Sequence, residues 1–571
     1  MKRRILASLL SLVMTLSLLP ATALAEGEIM TVSEDTEAVG KPEEVTEPTP
    51  QAGEGGNTSE TTTNGKLDLA EGSIVISADG YTQSGSALVE YGGDYTITQT
   101  GSTTATTNTI TVMGGTHTIT LNGVNIDVSG KHDGANAEKK NACAFDIQGG
   151  DVALTLEGEN VLKSGFTCEG YVDKYSLLCA TGWVCAGLSV AENASVTIKG
   201  NGSLDATAGG SDGFKIDEKS ISWANAGKAA GIGVSCRYSN YSLWEATAGD
   251  ITINDGIVNA TGSSYSGGYG GPGIGGGSNV SNITINGGTV TAASGYQSSG
   301  CAAIGSAYGH SGKKHIVISG GTVKATGGSA GIGGGAYASA DVTITGGNVT
   351  AISKGYGAGI GSGGGDYVSD GAKGGSITIT DGTVTAQGGN YAAGIGGGGT
   401  TTNTVRGGCA SGNITITGGT VTATGGKNAP GIGSGSKSND AASNAGCGEM
   451  ETITISGGTI TAVNGTGYSG TPYTLNDGTE AKSFGVGMGE NPSEDAKFKF
   501  ANWKLQTADG DAVQLIAVKD ASNLKRNGKD YMPATLNISG TAYYLLPEGC
   551  YITGTGGAEV VIPSDAVTLF F

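Results

Sequence analysis

The residues best suited to chemistry are concentrated in one long insert, residues 209–250, which is rich in charged and aromatic side chains. A carbohydrate site uses aromatic rings to stack on sugar faces and charges to fix hydroxyl groups. The sequence therefore predicts ligand contacts from Trp223, Tyr238, Tyr241 and Trp244. If the chain is an enzyme, the predicted catalytic groups are Asp212, Asp217, Glu218 and Arg237. The alternative is a loop that packs its own aromatic rings against the neighbouring structure.

A second set of aromatic residues recurs just before a repeated Gly-Ile-Gly segment, which has almost no outward side chains. Its members are Tyr265, Tyr269, Tyr296, Tyr356 and Tyr391. This arrangement predicts a bare strip flanked by rings, where a flat ligand can approach the backbone. The alternative is that the tyrosines stack on one another and stabilise a corner of the fold.

Acidic residues are sparse in the repeats. Glycosidases need two carboxyl groups separated by about 5 to 9.5 Å. Asp255 and Asp381 occupy one repeated slot but lie four repeats apart, about 19 Å at the usual strand spacing. Asp366 and Asp370, in the loop GGGDYVSDGAKGG, are the weak candidates for a metal site. Ca²⁺ is the ion that such oxygen ligands favour, and a solvated loop is the alternative. No other cofactor is predicted.

A repeated unit positions these residues. Its first strands begin at Ile251, Ile283, Ile316, Val342, Ile377, Ile414 and Ile453, at intervals of 26 to 39 residues. Each start is followed by a TVTA-type run and then by a GIGxG segment. Aliphatic residues alternate with threonine inside each run, which indicates β-strands with one buried face. One such coil cannot bury its aliphatic face alone, so the pattern predicts stacked coils: an all-β parallel β-helix with three short strands per coil.

The rest of the chain divides by composition. Residues 1–25 are predicted to be a signal peptide, because a basic start precedes a short apolar run and Ala23-Leu24-Ala25. Residues 26–66 are predicted to be a disordered acidic linker. The β-helix is expected over 67–490, with degenerate coils in 67–250 and regular repeats in 251–490. Residues 491–571 are expected to form a β-rich C-terminal cap or module.

Charge and cysteine usage limit the partners. The chain has a net charge of −20, to which the leader contributes +3 and the linker −8, so residues 67–571 carry a net charge of −15. This negative charge argues against binding to nucleic acid. After the leader, no apolar run reaches the 18 residues of a membrane span. The nine cysteines show no regular spacing; buried thiols are expected, with one or two bridges among Cys168, Cys179 and Cys185 left open. We expect a secreted or cell-surface monomer.

The segment ITVMGGTHTITLNGVNI (110–126) and runs such as ITITGGTVTATGG (414–426) resemble carbohydrate-binding or adhesin-like β-helix surface proteins of anaerobic Gram-positive bacteria, which are pectate-lyase-like solenoids. The resemblance spans about residues 74–490 and rests on core and corner residues. It implies a right-handed single-stranded parallel β-helix that binds a polysaccharide or host glycan. A polysaccharide lyase or glycoside hydrolase is the alternative function, and a structural surface spacer is the second alternative.

Overall fold

The computed structural model describes residues 65–571 except for the following segments: 173–177, 211–214, 217–218, 221–227, 240–241, 245–247, 265–269, 277–281, 296–299, 308–314, 366–373, 401–411, 437–452, 456, 468–470, 475–479, 484, 488–504, 507–512, 517–523, 527–528, 531–533, 539–540, 548–549, 555–556, 559–567 and 570–571. All described residues belong to one unit of the chain, residues 62–571.

Successive short strands belong in turn to three sheets, which we call A, B and C. Sheet A contains Lys66–Asp68, Tyr95–Thr98, Thr116–Asn122, Gly150–Glu157, Ala194–Gly200, Asp250–Ile253, Ile283–Ile285, His315–Ile318, Asp341–Ile344, Ile377–Ile379, Ile414–Ile416, Ile453–Ile455 and Leu505–Gln506. Sheet B contains Ile74–Ser77, Gly80–Gln83, Val89–Glu90, Ile110–Val112, Phe145–Ile147, Leu188–Val190, Ile232–Gly233, Ile274–Gly275, Ile304–Gly305, Ile332–Gly333, Ile360–Gly361, Ile395–Gly396, Ile432–Gly433 and Val486–Gly487. Sheet C contains Asn125–Asp127, Glu159–Lys163, Ser203–Thr207, Ile257–Thr261, Thr289–Ala293, Thr322–Gly327, Asn348–Ser353, Thr383–Gln387, Thr420–Thr424, Thr459–Val463, Val513–Ile516, Ala534–Ile538, Thr541–Pro547 and Thr568–Leu569.

Each coil runs from sheet A to sheet C to sheet B, and successive coils pair in parallel and in register. Ile414 pairs with Ile453 in sheet A, and Val421 pairs with Ile460 in sheet C. The inward aliphatic side chains form one continuous core from Leu67 to Val486. Burying each Ile or Val contributes roughly 1.5–3 kcal/mol, and only stacking makes that burial complete. The predicted parallel β-helix is confirmed.

The first coil is closed by an aromatic cluster. Strands Gly80–Gln83 and Val89–Glu90 continue sheet B in the antiparallel sense. Tyr81, Tyr91 and Tyr95 contact one another edge to face, with ring centroids 5.2 to 6.5 Å apart. Tyr95 is buried, and the other two rings pack on the core. The cluster covers the aliphatic residues of this coil, which is the first one that the described residues form.

At the other end, strands of the predicted C-terminal segment join the solenoid sheets. Leu505 pairs with Ile453 in sheet A, and Ala534–Ile538 continues sheet C in parallel before antiparallel strands follow. A separate antiparallel sheet there contains Leu524–Arg526, Lys529–Asp530, Cys550–Gly554 and Gly557–Ala558. No helix among the described residues is both long enough and apolar enough to cross a membrane.

A smaller sheet lies beside the N-terminal coils, and we call it the lateral sheet. In order it contains Ser242–Trp244, Cys236–Ser239, Leu178–Val184, Phe166–Val172 and Lys131–Asp133. The short helices are Leu69–Glu71, Gly134–Asn136 and Lys139–Ala142. Two isolated hairpins pair Lys215–Ile216 with Lys219–Ser220, and Thr471–Thr474 with Glu480–Ser483. The lateral sheet draws its strands from inserts of three coils, so it depends on the stacking of those coils.

Strands of sheet B in the regular coils are only two residues long, because the chain folds back on either side of the isoleucine. Ala358 donates its N–H to the Ser362 carbonyl at 3.0 Å, and Ala393 donates to Gly397 at 2.9 Å. The segments before and after each strand therefore meet on its outer side. We call each joined pair of segments, such as residues 354–359 with 362–365, a fin. The glycine after the isoleucine has a φ of 131° at Gly361, a conformation that favours glycine.

Successive fins pack backbone against backbone along one column of small residues. The column contains Ala307, Gly335, Gly363, Gly398 and Gly435. A Cβ placed on Gly398 would lie 2.5 Å from the carbonyl atoms of Gly363, and one on Gly363 would overlap the Gly335 oxygen. Side chains are therefore excluded from the four glycine positions of the column. Glycine sets the closest approach of the fins.

Candidate functional site

Four predicted site residues fall in a hairpin at the edge of the lateral sheet, residues 236–244, which we call the aromatic hairpin. Arg237 pairs with Trp183 on one side and with Trp244 on the other, and Tyr238 pairs with Leu243. Arg237 is exposed. Tyr241 lies between the two strands in sequence and is outside the described residues. The topology thus brings Arg237, Tyr238 and Trp244 to one sheet edge, next to a tryptophan that the sequence analysis did not single out.

Trp183 is fixed by contacts on several sides. Its backbone N–H donates to the Thr167 hydroxyl at 2.9 Å, and its ring packs against a small buried cluster that includes Cys143 and Cys185. The Lys139 ammonium lies 5.1 Å from the ring centroid, and the Arg237 guanidinium carbon lies 6.0 Å away. Cation–π attraction at such distances favours this arrangement. The ring therefore orients the Arg237 side chain at the surface.

Beneath Trp183 lies a buried charged network. Asp146 points outward from sheet B, is fully buried, and accepts from Lys139 Nζ at 2.8 Å and from Gln148 Nε2 at 3.0 Å. Lys139 also reaches the Ser189 hydroxyl at 3.4 Å. Burial by itself would lower the pKa of Lys139, but the charge and hydrogen bond of Asp146, together with the nearby Cys143 and Cys185, outweigh burial and raise that pKa. The lysine therefore stays protonated and cannot act as a base toward the serine, so this network supports the aromatic hairpin structurally.

The prediction of a bare strip along the Gly-Ile-Gly strands is wrong for the described coils. Residues 358–365 and 392–400 are buried, because the two segments of each fin meet over the strand. Tyr356 and Tyr391 lie in the fins, half-buried, and their carbonyls accept from Gly399 and Ser436 of the next coil at 2.6 Å. These two rings are therefore displayed on the fins rather than beside an open backbone.

Other predicted residues lie outside the described residues, and their roles stay predictions. They are Asp212, Asp217, Glu218, Trp223, Tyr265, Tyr269, Tyr296, Asp366 and Asp370. Among the described residues no group of three or more His, Cys, Asp or Glu side chains is arranged to hold a metal ion.

Cysteine side chains in the described part of the chain are buried, as expected for small apolar groups. They belong to Cys143, Cys168, Cys185, Cys236 and Cys301. Cys185 has a free thiol, so it forms no bridge to Cys168, and the Cys179 side chain lies outside the description. Burial raises the pKa of Cys236 to about 12 and raises that of Cys185 well above its usual value. Both thiols are thus poor nucleophiles.

Comparison with known proteins gives one match. A family model described as a beta helix repeat matches residues 251–278, 283–308, 316–336, 342–364, 377–399 and 414–436. The regular coils are β-helix repeats. No curated protein and no solved structure matches the chain significantly. The β-helix scaffold is shared by surface adhesins, lyases and hydrolases, so the function has to be argued from the site.

Proposed function

We propose that this chain is a secreted or cell-surface protein that binds a polysaccharide or host glycan, and that the aromatic hairpin is its main contact. The observation that carries the proposal is the row Trp183–Arg237–Trp244, formed across three neighbouring strands. An exposed guanidinium beside the Trp183 ring at a sheet edge offers hydrogen bonds and stacking surface to a sugar. The signal-like leader and the resemblance to carbohydrate-binding surface proteins agree with this proposal.

The hairpin is well placed for an extended ligand. Ser242–Trp244 is the edge strand of the lateral sheet among the described residues, and no other described strand of that sheet covers the surface beyond it. The ion pair of Lys139 with buried Asp146 fixes the floor beneath Trp183. Because this part of the protein surface is already rigid, binding a sugar chain costs less of the protein's conformational entropy.

The test is a glycan array followed by affinity measurements on Arg237→Ala and on Lys324→Ala. Both variants remove one exposed cation from a strand, but Lys324 lies on the outer face of sheet C. Hydrogen bonds to a charged group contribute about 1.5–3 kcal/mol, so Arg237→Ala should weaken binding about 10- to 150-fold. Lys324→Ala should leave it unchanged.

Two results would contradict the proposal. A wild-type chain that binds no plant, microbial or mucin glycan would remove its basis. Soluble sugar products released by the wild type, and lost in Asp217→Ala or Glu218→Ala, would instead establish the lyase or hydrolase alternative.

A further inference from the structure

We propose that the fins carry a second glycan subsite, selective for sugars with an anionic substituent, built from Lys354, Tyr356, Asn390, Tyr391 and Lys427. We call these five residues the fin patch. The inference rests on the proposed function, because it takes the ligand to be a glycan. It adds a separate surface and a ligand class, namely sugars bearing a carboxylate or a sulfate.

The patch is formed by three consecutive coils in register. Tyr356 and Tyr391 each stand four residues before the isoleucine of their coil, and Asn390 and Lys427 stand five before. Backbone hydrogen bonds hold the fins together, for example from Asn390 N–H to the Gly355 carbonyl at 2.7 Å. Neighbouring strands lie about 4.8 Å apart, so three coils span about 10 Å. That length suits two linked sugar rings.

Tyr391 is kept in a conformation that is unfavourable for tyrosine. Its φ is 61°, in the left-handed region that costs a residue with a side chain roughly 1–2 kcal/mol. The residues at this position in the described regular coils are Gly270, Gly300, Gly328, Tyr356, Tyr391 and Asn428. Only Tyr391 and Asn428 have a φ near 60°, and asparagine tolerates that region far better than tyrosine does. The Tyr391 ring is only half-buried, so packing offsets part of the cost. A large ring in this conformation points to a contact outside the chain.

The charges of the patch favour an anion. Lys354, Asn390 and Lys427 are exposed, and Lys427 Nζ lies 5.7 Å from the Tyr391 ring centroid. None of the five residues is acidic. Charges farther than about 8 Å away are largely screened at physiological ionic strength. Within the patch itself the two ammonium groups are the only charges, so the patch attracts an anion although residues 67–571 are acidic as a whole.

The experiment measures binding to dextran, carboxymethyl dextran and dextran sulfate, which share one neutral backbone. Lys427→Gln should weaken binding to both charged dextrans about tenfold, with the difference shrinking as salt is raised, and should not affect neutral dextran. Tyr391→Gly should weaken binding to the charged forms about 3- to 10-fold. Its Tm should equal or exceed that of the wild type, because glycine relieves the left-handed conformation. Lys324→Gln is the matched control and should behave as the wild type.

The outcomes separate this inference from the proposed function. A lower Tm for Tyr391→Gly would show that the ring stabilises the fin, and unchanged binding in Lys427→Gln would refute a role for its charge; either result overturns the inference. A wild type that binds neither charged dextran also overturns it. If glycan binding is lost in Arg237→Ala alone, the aromatic hairpin stands and the fin patch fails. If it is lost only in the fin-patch variants, the patch stands and the hairpin assignment fails.

Discussion

Replacing Gly398 with alanine tests how the fins stack. The new Cβ would lie 2.5 Å from both carbonyl atoms of Gly363, whereas ordinary contact begins at 3.4 Å. The two fins would have to separate locally by about 0.9 Å, the difference between these distances. That movement would lengthen the 2.6 Å hydrogen bond from Gly399 to Tyr356 to about 3.5 Å, the outer limit for such a bond.

The expected cost of Gly398→Ala combines two effects. Overpacking costs about 1–3 kcal/mol, and the lost hydrogen bond costs about 1 kcal/mol. Stability in a solenoid is a sum of local terms, so the effect should appear in the neighbouring coils rather than in the whole chain. Hydrogen exchange should show amides of residues 355–365 and 392–400 opening about 30- to 700-fold more often, the equivalent of 2–4 kcal/mol.

The matched control is Gly92→Ala, where a Cβ meets nothing within 4 Å and φ is not positive. That variant should leave exchange unchanged or slow it slightly, because alanine restricts the unfolded chain. If Gly398→Ala exchanges like the wild type in residues 355–365 and 392–400, the fins do not meet as closely as the glycine column indicates, and close backbone packing is refuted as the reason for these glycines.

Three further predictions concern the interior and the first coil. Lys139→Ala should lower the free energy of unfolding of its coils by about 3–5 kcal/mol, because the buried Asp146 carboxylate loses its partner; in a denaturant titration, adding Asp146→Ala to that variant should recover part of the loss. Thiol reagents at pH 8 should leave Cys236 unmodified until the chain is unfolded, since its pKa is about 12; rapid native labelling in mass spectrometry would contradict its burial. Hydrogen bonds from Thr100 and from a helix N-terminus overcome burial and lower the pKa of Asp68. A capping residue of this kind typically contributes about 1 kcal/mol of stability. That contribution is present above the unfolded pKa of about 3.9 and is lost as pH falls through the folded value. Asp68→Asn should flatten that dependence in acid titrations of first-coil stability, and an unchanged acid profile would exclude this role.

The sequence was sufficient for the solenoid because its signal is local. In Ile414-Thr415-Ile416 alternation alone assigns the inward face, and the same triplet in the next coil pairs with it in register. The covered outer side of sheet B was not predictable in this way. It depends on hydrogen bonds such as Ala358 to Ser362, which close around the strand through backbone geometry and leave no pattern in side-chain polarity.

The aromatic hairpin shows a second limit of prediction from the sequence. Arg237 was predicted from the composition of its insert, but its neighbours were not. Trp183 comes from the preceding coil, and Lys139 lies 44 residues before Trp183 in the sequence. They meet only because inserts from three coils pair in one lateral sheet. The fin patch has the same origin, since register between coils, and not proximity in sequence, brings Tyr356, Tyr391 and Lys427 together.

The two-residue strands of sheet B also explain how the coils tolerate unequal length. Coil lengths vary from 26 to 39 residues, yet the paired strands keep one register through the regular repeats. The differences in length fall between the sheet C strand of one coil and the sheet A strand of the next, on either side of the two-residue strand of sheet B. These connecting segments can therefore be lengthened, shortened or exchanged while the stacked strands keep their register.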